Sequence, residues 1–301
     1  MKSGIPDFDT AKPWGPDGPV DPLRATIYKN PTHCYSPADL LSVPWVHTKN
    51  LTFAPGSCPP HHGNCYSSTN FVLLGLLLAH HQDPKSSAIW KDYNQSKAYP
   101  VSVVKDFPKV SFATTGPPED HTTVHGYDMT SYNHKKPEDS IDVYSTCGVF
   151  GGWTASDIVG PAQDIAALVY DVYAPVEANN GSKIVRDGKL LAQMYGSSGD
   201  TGYGLATFNL SHHTGVKGPE GIAYGHLGAT YGYQSIVAYF PALDFSLAIG
   251  TNTETDYQSQ PSDTMCRVYN TIKASIEGKA KPPKCTFSRG YYSAGCACKD
   301  Q

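Results

Sequence analysis

The sequence has no apolar run able to cross a membrane. The longest, Phe71 to Ala79, is nine residues in a chain of 301, where a spanning helix needs roughly 20. Clusters of Lys and Arg are absent and the net charge is −4, which excludes nucleic acid and anionic membrane surfaces as partners. No internal repeat and no low-complexity block is present, which excludes a repeat architecture. None of the eight cysteines has a zinc-like spacing with histidine, and no pattern asks for a metal or a cofactor. Met1 to Pro6 lacks the apolar core of a secretion signal.

Several features are abundant instead. Gly and Pro total 52 residues, 28 and 24, so loops are many, and 301 residues can bury a sizeable core. The cysteines are even in number, and Asn50, Asn94, Asn180 and Asn209 each open a glycosylation sequon. Both features belong to an oxidising, extracellular compartment. Set beside the missing signal, they lead us to expect a secreted protein with residues preceding position 1. Cys58 and Cys65 bracket a small loop and are expected to pair; metal binding by the intervening His61 and His62 is the alternative. Cys296 and Cys298 are too close to pair with each other and are expected to reach elsewhere, Cys266 or Cys285 among the choices.

The stretch Tyr224 to Ser235 organises the chain. Ile236 to Phe240 and Phe245 to Gly250 are β-prone apolar runs joined by Pro241-Ala242-Leu243-Asp244, which is turn chemistry, and they predict an antiparallel hairpin. Ile222 to Thr230 predicts a strand before it. Alternate side chains of a strand face opposite ways, so His226 and Gly228 share a face. Gly228 leaves room for a ligand against the backbone, and the Ala229 N–H stands where an oxyanion would form. An ordinary strand with a partly exposed histidine is the competing reading.

Upstream, residues 1–60 hold eleven prolines, and Ser36-Pro37 reads as an N-cap and first residue of a helical turn. Small hydroxyl residues at Ser67 to Thr69 cap a helix that is apolar all round, which predicts full burial. Tyr66 and Ser68 sit at its mouth, where the helix dipole is expected to lower the Tyr66 pKa and suit it to proton transfer; a packing tyrosine is the plainer alternative. His121 and His125 have metal-like spacing only on a helix, and the β-branched residues between them argue against one. Ser102 to Lys105 matches Ser-x-x-Lys, a weak signal. Pro161 opens a predicted helix with Ala162, Ile165, Leu168, Val169 and Val172 on one face. A short helix over Lys189 to Tyr195, a strand over Gly202 to Phe208 and an amphipathic helix over Thr264 to Ile276 follow.

In this order the motifs resemble those of the serine β-lactamase / D-Ala-D-Ala carboxypeptidase (penicillin-binding protein-like) superfamily, nearest its class C-like esterase and peptidase branch. The resemblance rests on Ser3-Gly4-Ile5-Pro6-Asp7, on Tyr66-Ser67-Ser68-Thr69-Asn70-Phe71-Val72-Leu73-Leu74-Gly75, on the Tyr203-Gly204-Leu205 segment and on His226-Leu227-Gly228. It implies an α/β (α+β) fold, an antiparallel sheet flanked by helices beside a mostly helical subdomain. It assigns residues 1–278 to one domain, helical over about 1–200 and sheet over about 201–278, with a cysteine-bearing tail at 279–301. The implied chemistry is attack by a Ser-x-x-Lys serine on a peptide, ester or other small carbonyl substrate, with Tyr66 shuttling the proton and His226 as its electrostatic partner. Ser68, Gly228 and Ala229 would bind the substrate. Two departures stand out. Ser68 replaces the family's Asn. The family's Ser-x-x-Lys precedes the Ser-Gly-Ile-Pro segment, where this chain starts, so the nucleophile and first strands are expected to be missing and the fragment inactive. The competing functions are a non-catalytic secreted binding protein on the same fold and an unrelated disulfide-stapled, metal-binding protein.

Overall fold

Along Ile236 to Phe240 successive side chains point to opposite faces of the strand. Ile236, Ala238 and Phe240 pack with Met265 and Tyr269 on one side, and Val237 and Tyr239 with Val169, Tyr173 and Leu191 on the other. The turn to the next strand closes with Asp244 at φ 47°, a left-handed conformation that Asp tolerates. The Asp244 carboxylate accepts from the Tyr239 and Tyr170 hydroxyls at 3.0 Å each.

The computed structural model describes residues 3–9, 12–15, 18–20, 22–47, 50–57, 66–85, 89–130, 140–176, 180–195, 202–255 and 259–285. In chain order the elements are β1 (Lys12–Gly15), β2 (Gly18–Val20), α1 (Pro22–Lys29), α2 (Pro37–Leu41), α3 (Ser68–Gln82), α4 (Ile89–Asp92), α5 (Val101–Asp106), β3 (Ser111–Phe112), β4 (Tyr127–Asp128), β5 (Ile141–Asp142), β6 (Ile158–Val159), α6 (Ala162–Tyr173), α7 (Gly188–Tyr195), β7 (Phe208–Asn209), β8 (Tyr224–Thr230), β9 (Tyr233–Phe240), β10 (Phe245–Thr251), β11 (Thr253–Glu254) and α8 (Ser259–Ile276). The main sheet is antiparallel, in the order β10-β9-β8-β7. Helices α6 and α7 cover one face and α8 the other. The α/β architecture expected from the sequence, an antiparallel sheet flanked by helices, is the one observed. No helix among the described residues is long and apolar enough to cross a membrane.

A second core lies under the helices. Phe8, Leu23, Ile27, Leu40, Val72, Val149 and Trp153 pack together there; burying each of the larger apolar side chains contributes about 1.5–3 kcal/mol. Ser36 caps α2 as expected, with a reciprocal bond from its own N–H to Asp39. Pro161 caps α6 from one position ahead of the first helical residue.

Four expectations are corrected. Helix α3 buries Val72, Gly75 and Ala79 but leaves Leu74, Leu77 and Leu78 exposed by 45, 68 and 42 %. Its uniform apolarity hides the fact that only one face has partners. Residues 202–208 do not run as a strand. The chain doubles back through Ala206, at φ 55°, so that Tyr203 bridges Phe208, and only Phe208 and Asn209 join the sheet. Cys266 pairs with Cys285, which removes both as partners for Cys296 and Cys298; those two lie outside the described residues, as do Cys58 and Cys65. The fourth correction, to the Tyr66 pKa, belongs to the site below. Cys34 and Cys147, whose pairing the sequence left open, form a disulfide across a separation of 113 residues, a loop length at which cross-linking restrains the unfolded chain strongly.

Candidate active site

The N-terminal segment and the mouth of α3 are built as one unit. Ser67 is the N-cap of α3 but makes no side-chain cap bond. The Asp7 carboxyl accepts the Ser68 N–H instead, at 3.1 Å, at the positive end of the helix; burial raises its pKa and outweighs the bond from that N–H. Thr69 Oγ1 donates to the Pro6 carbonyl at 2.8 Å and accepts the Phe8 N–H at 3.0 Å. Ser3 Oγ donates to Asn70 Oδ1 at 2.6 Å. The Ser-Gly-Ile-Pro-Asp segment is thus the clamp that fixes where Tyr66 leaves the helix. Replacing Asp7 with alanine is expected to cost about 1–2 kcal/mol, as for loss of an N-cap. Urea unfolding is the measurement; an unchanged midpoint would show that the clamp does not depend on this carboxylate.

Tyr66 and His226 converge, with ring centroids 5.7 Å apart. Around Tyr66 stand Tyr203 at 5.5 Å, Phe71 at 5.8 Å and Phe208 at 6.1 Å. Phe208 also packs edge-on against His226 at 4.7 Å. Ser68 turns its hydroxyl to donate to the Tyr66 oxygen at 3.1 Å. Helix α3, the 202–208 loop, β7 and β8 therefore bring these rings into one aromatic cluster.

The electrostatics differ from the expectation for Tyr66. Burial holds its pKa above that of an ordinary phenol and outweighs the bond donated by Ser68; Asp7 and Asp9 raise it further. Burial also lowers the His226 pKa below its ordinary value. Desolvation penalises the charged form of each, so at neutral pH the phenol keeps its proton and the imidazole stays uncharged.

The strand backbone supplies the next component. Leu210 N–H donates to the Ala223 carbonyl, so Ala223 presents its backbone to the β7 side of β8. Alternation puts Gly225, Leu227 and Ala229 on the same side. Because β7 ends opposite Gly225 and Tyr224, the Ala229 N–H faces an edge that β7 does not reach. Beside Ala229 lies a cavity of about 150 Å³, whose walls include Asp9, Arg24, Gly152, Ser156 and Tyr231. Gly228 has a local reason as well: a Cβ there would come within 2.3 Å of Ser235 Oγ, its cross-strand partner. The room made by the missing side chain is taken up in part by that hydroxyl.

Behind this edge sits a buried charge cluster. Arg24 Nη1 donates to Asp128 Oδ2 and Glu254 Oε2 at 2.6 Å each, and Nη2 to Glu254 Oε1 at 2.8 Å. Glu254 also accepts the Gly232 N–H at 2.9 Å, which anchors the β8–β9 turn. Gly232 itself is at φ 83°, with no space for a Cβ against Val143. Arg24 holds Asp128 below the ordinary carboxylate range, whereas burial raises Glu254 to about 7.

Tyr203 is the cleft residue whose role sequence reasoning missed. Its segment was singled out, but reading it as a strand gave the phenol no place. Its hydroxyl lies 3.1 Å from His226 Nε2. Lys105 is exposed on α5, and none of the described ring contacts or hydrogen bonds of Tyr66, Tyr203 and His226 is to a lysine. No helix carries both His121 and His125: His121 ends the short 3-10 helix Pro118–His121, where its Nε2 meets the Thr115 carbonyl, and His125 lies beyond it, its Nδ1 on Asp142.

No protein-family model and no curated protein matches the chain. Solved structures do. A D-stereospecific amidohydrolase from Streptomyces sp. superposes with a TM-score of 0.59 at 19 % identity, over 93 % of this chain and 71 % of that one. D-amino acid amidase from Ochrobactrum anthropi SV3, complexed with L-phenylalanine amide, gives 0.56 at 16 % identity over 92 % and 69 %. A penicillin binding protein from Bacillus halodurans gives 0.50 at 15 % identity over 92 % and 69 %.

Proposed function

We propose that this chain, which has the β-lactamase/transpeptidase-like fold of the serine hydrolases and penicillin-binding proteins, carries the cleft of an acyl-serine hydrolase acting on a small amide, ester or peptide. The observation that carries this reading is the convergence of the Tyr66 and His226 rings, 5.7 Å apart, beside a strand edge that offers the Ala229 N–H. In this reading Tyr66 passes a proton to the leaving group, and the Ala229 N–H stabilises the oxyanion. Gly228 lets the substrate approach the strand. His226 and Ser68 set the position of the tyrosine and the substrate. A single oxyanion donor contributes about 100- to 1,000-fold in rate.

The reading also includes the nucleophile. No Ser-x-x-Lys stands among the described contacts of the cleft, and in this reading the 301-residue protein by itself forms no acyl-enzyme. Incubation with a fluorophosphonate or a labelled penicillin, followed by intact mass measurement, is expected to give no stoichiometric adduct. An adduct on a serine of this chain would overturn the claim and identify a nucleophile within it. The second reading is a non-catalytic binding protein on the same fold. The genomic sequence ahead of Met1 separates the two: an in-frame Ser-x-x-Lys supports the enzyme, and a signal peptide joined directly to residue 1 supports the binder. An extracellular location accords with two disulfides and with the exposure of Asn50, Asn94, Asn180 and Asn209.

A further inference from the structure

Resting on the hydrolase reading of the cleft, we infer that Tyr203 is a positioning residue that locks His226 in one neutral tautomer, and that the cleft therefore selects substrates with no anionic group on the leaving side. The argument begins with the two ring nitrogens. His226 Nδ1 lies 2.5 Å from the Leu227 carbonyl oxygen. A carbonyl only accepts, so the proton sits on Nδ1. In the neutral ring Nε2 is then a bare lone pair, and the Tyr203 hydroxyl, 3.1 Å away, is its donor. A donor placed on the lone pair favours the uncharged ring, because protonating Nε2 would force the phenol to rotate and accept instead.

The surroundings act in the same direction. The described groups that face His226 are Tyr203 from the loop before β7, Phe208 from β7, Tyr66 from the mouth of α3, and Val237 across the β8–β9 pair. None carries a positive charge. Beyond them, the Asp7 and Asp9 carboxyls act on Tyr66 and raise its pKa. An anion entering beside these groups would lose its hydration and find no cation among them, and Arg24, in the wall of the cavity beside Ala229, is already engaged by Asp128 and Glu254. A neutral amide or ester loses far less, and its carbonyl finds the Ala229 N–H at the open strand edge. The fold of Tyr203 against His226 is thus a specificity device as well as a packing contact.

Two measurements on the whole 301-residue protein test this. The first is ¹⁵N NMR of the histidine side chains, assigned through His226→Gln. The wild type is expected to show His226 as the Nδ1–H tautomer across pH 6–8. Tyr203→Phe, which keeps the ring and removes only the donor, is expected to raise the His226 pKa by about one unit. An Nε2–H tautomer, or a titration that Tyr203→Phe leaves unmoved, overturns the inference while leaving the hydrolase reading intact. The second is NMR titration with N-acetyl-D-alanyl-D-alanine amide and N-acetyl-D-alanyl-D-alanine, which differ in one carboxylate. The amide is expected to bind at least about tenfold more tightly, with shifts at Tyr66, His226 and Ala229. Equal or tighter binding of the carboxylate overturns the inference alone. Binding of neither, with no shift at those residues, overturns both the inference and the hydrolase reading.

Discussion

Replacing Arg24 with leucine is expected to destabilise the protein by about 3–5 kcal/mol at pH 8, the usual cost of leaving a buried charge without its partner. Arg24 is 5 % exposed, Asp128 is fully buried and Glu254 is 3 % exposed. The cluster already holds two carboxylates against one guanidinium. Without Arg24, the Gly232 N–H, the Tyr28 hydroxyl and the two Thr130 donors are left among the described groups to compensate them. The folded-state pKa values of both acids then rise above their unfolded values. A carboxylate with a raised folded pKa contributes stability below that pKa and loses it as pH climbs through it. The Arg24→Leu protein should therefore regain roughly 1–2 kcal/mol between pH 8 and pH 5, and Arg24→Lys should lose less because it keeps the charge. Denaturant unfolding at the two pH values is the test. A loss below about 1 kcal/mol at pH 8, unchanged at pH 5, would show that the cluster is not the electrostatic unit described here. Because Glu254 also holds the Gly232 N–H, the same variant should loosen the β8–β9 turn and, with it, Ala229.

The second large effect concerns Asp157. This side chain is 4 % exposed, and Gln95 Nε2 donates to it at 2.5 Å. Burial outweighs that bond and raises the carboxyl to about 7, against 3.8 for an ordinary aspartate. The folded protein thus binds a proton that the unfolded chain releases between roughly pH 4 and pH 7. The wild type should accordingly lose stability as pH rises across that window, through this group. Asp157→Asn keeps the shape and the acceptor for Gln95 without a charge. It is expected to stabilise the protein by about 2–4 kcal/mol at pH 8, to have little effect near pH 4, and to flatten the slope between. Thermal unfolding from pH 4 to pH 8 reads this directly. A variant no more stable than wild type at pH 8 would place the negative charge in a better-compensated site than the geometry indicates.

These two residues also mark how much was legible beforehand. The hairpin of β9 and β10 was readable because its information is local: two alternating apolar runs and a Pro-Asp turn lie within fifteen residues. Helices α6 and α8 were readable for the same reason, through a repeat of 3.6. The cleft was half legible. Tyr66 at a helix mouth and His226 on a strand could be nominated from neighbouring residues, and the structure brings their rings together. Helix α3 shows the limit of composition: Leu74, Leu77 and Leu78 look like core and lie at the surface.

By itself, then, the sequence determined the β9–β10 hairpin, the helices α3, α6, α7 and α8, and that a phenol stands at a helix mouth and an imidazole on a strand. Only the tertiary structure decided what those groups meet. Arg24 finds Glu254 across 230 residues, Cys34 finds Cys147 across 113, and Tyr203 reaches His226 because a predicted strand folds back as a loop. Periodicity and turn chemistry act over a few residues. Pairings between distant charges, thiols and hydroxyls leave no local pattern, and they set the protonation states that the candidate chemistry depends on.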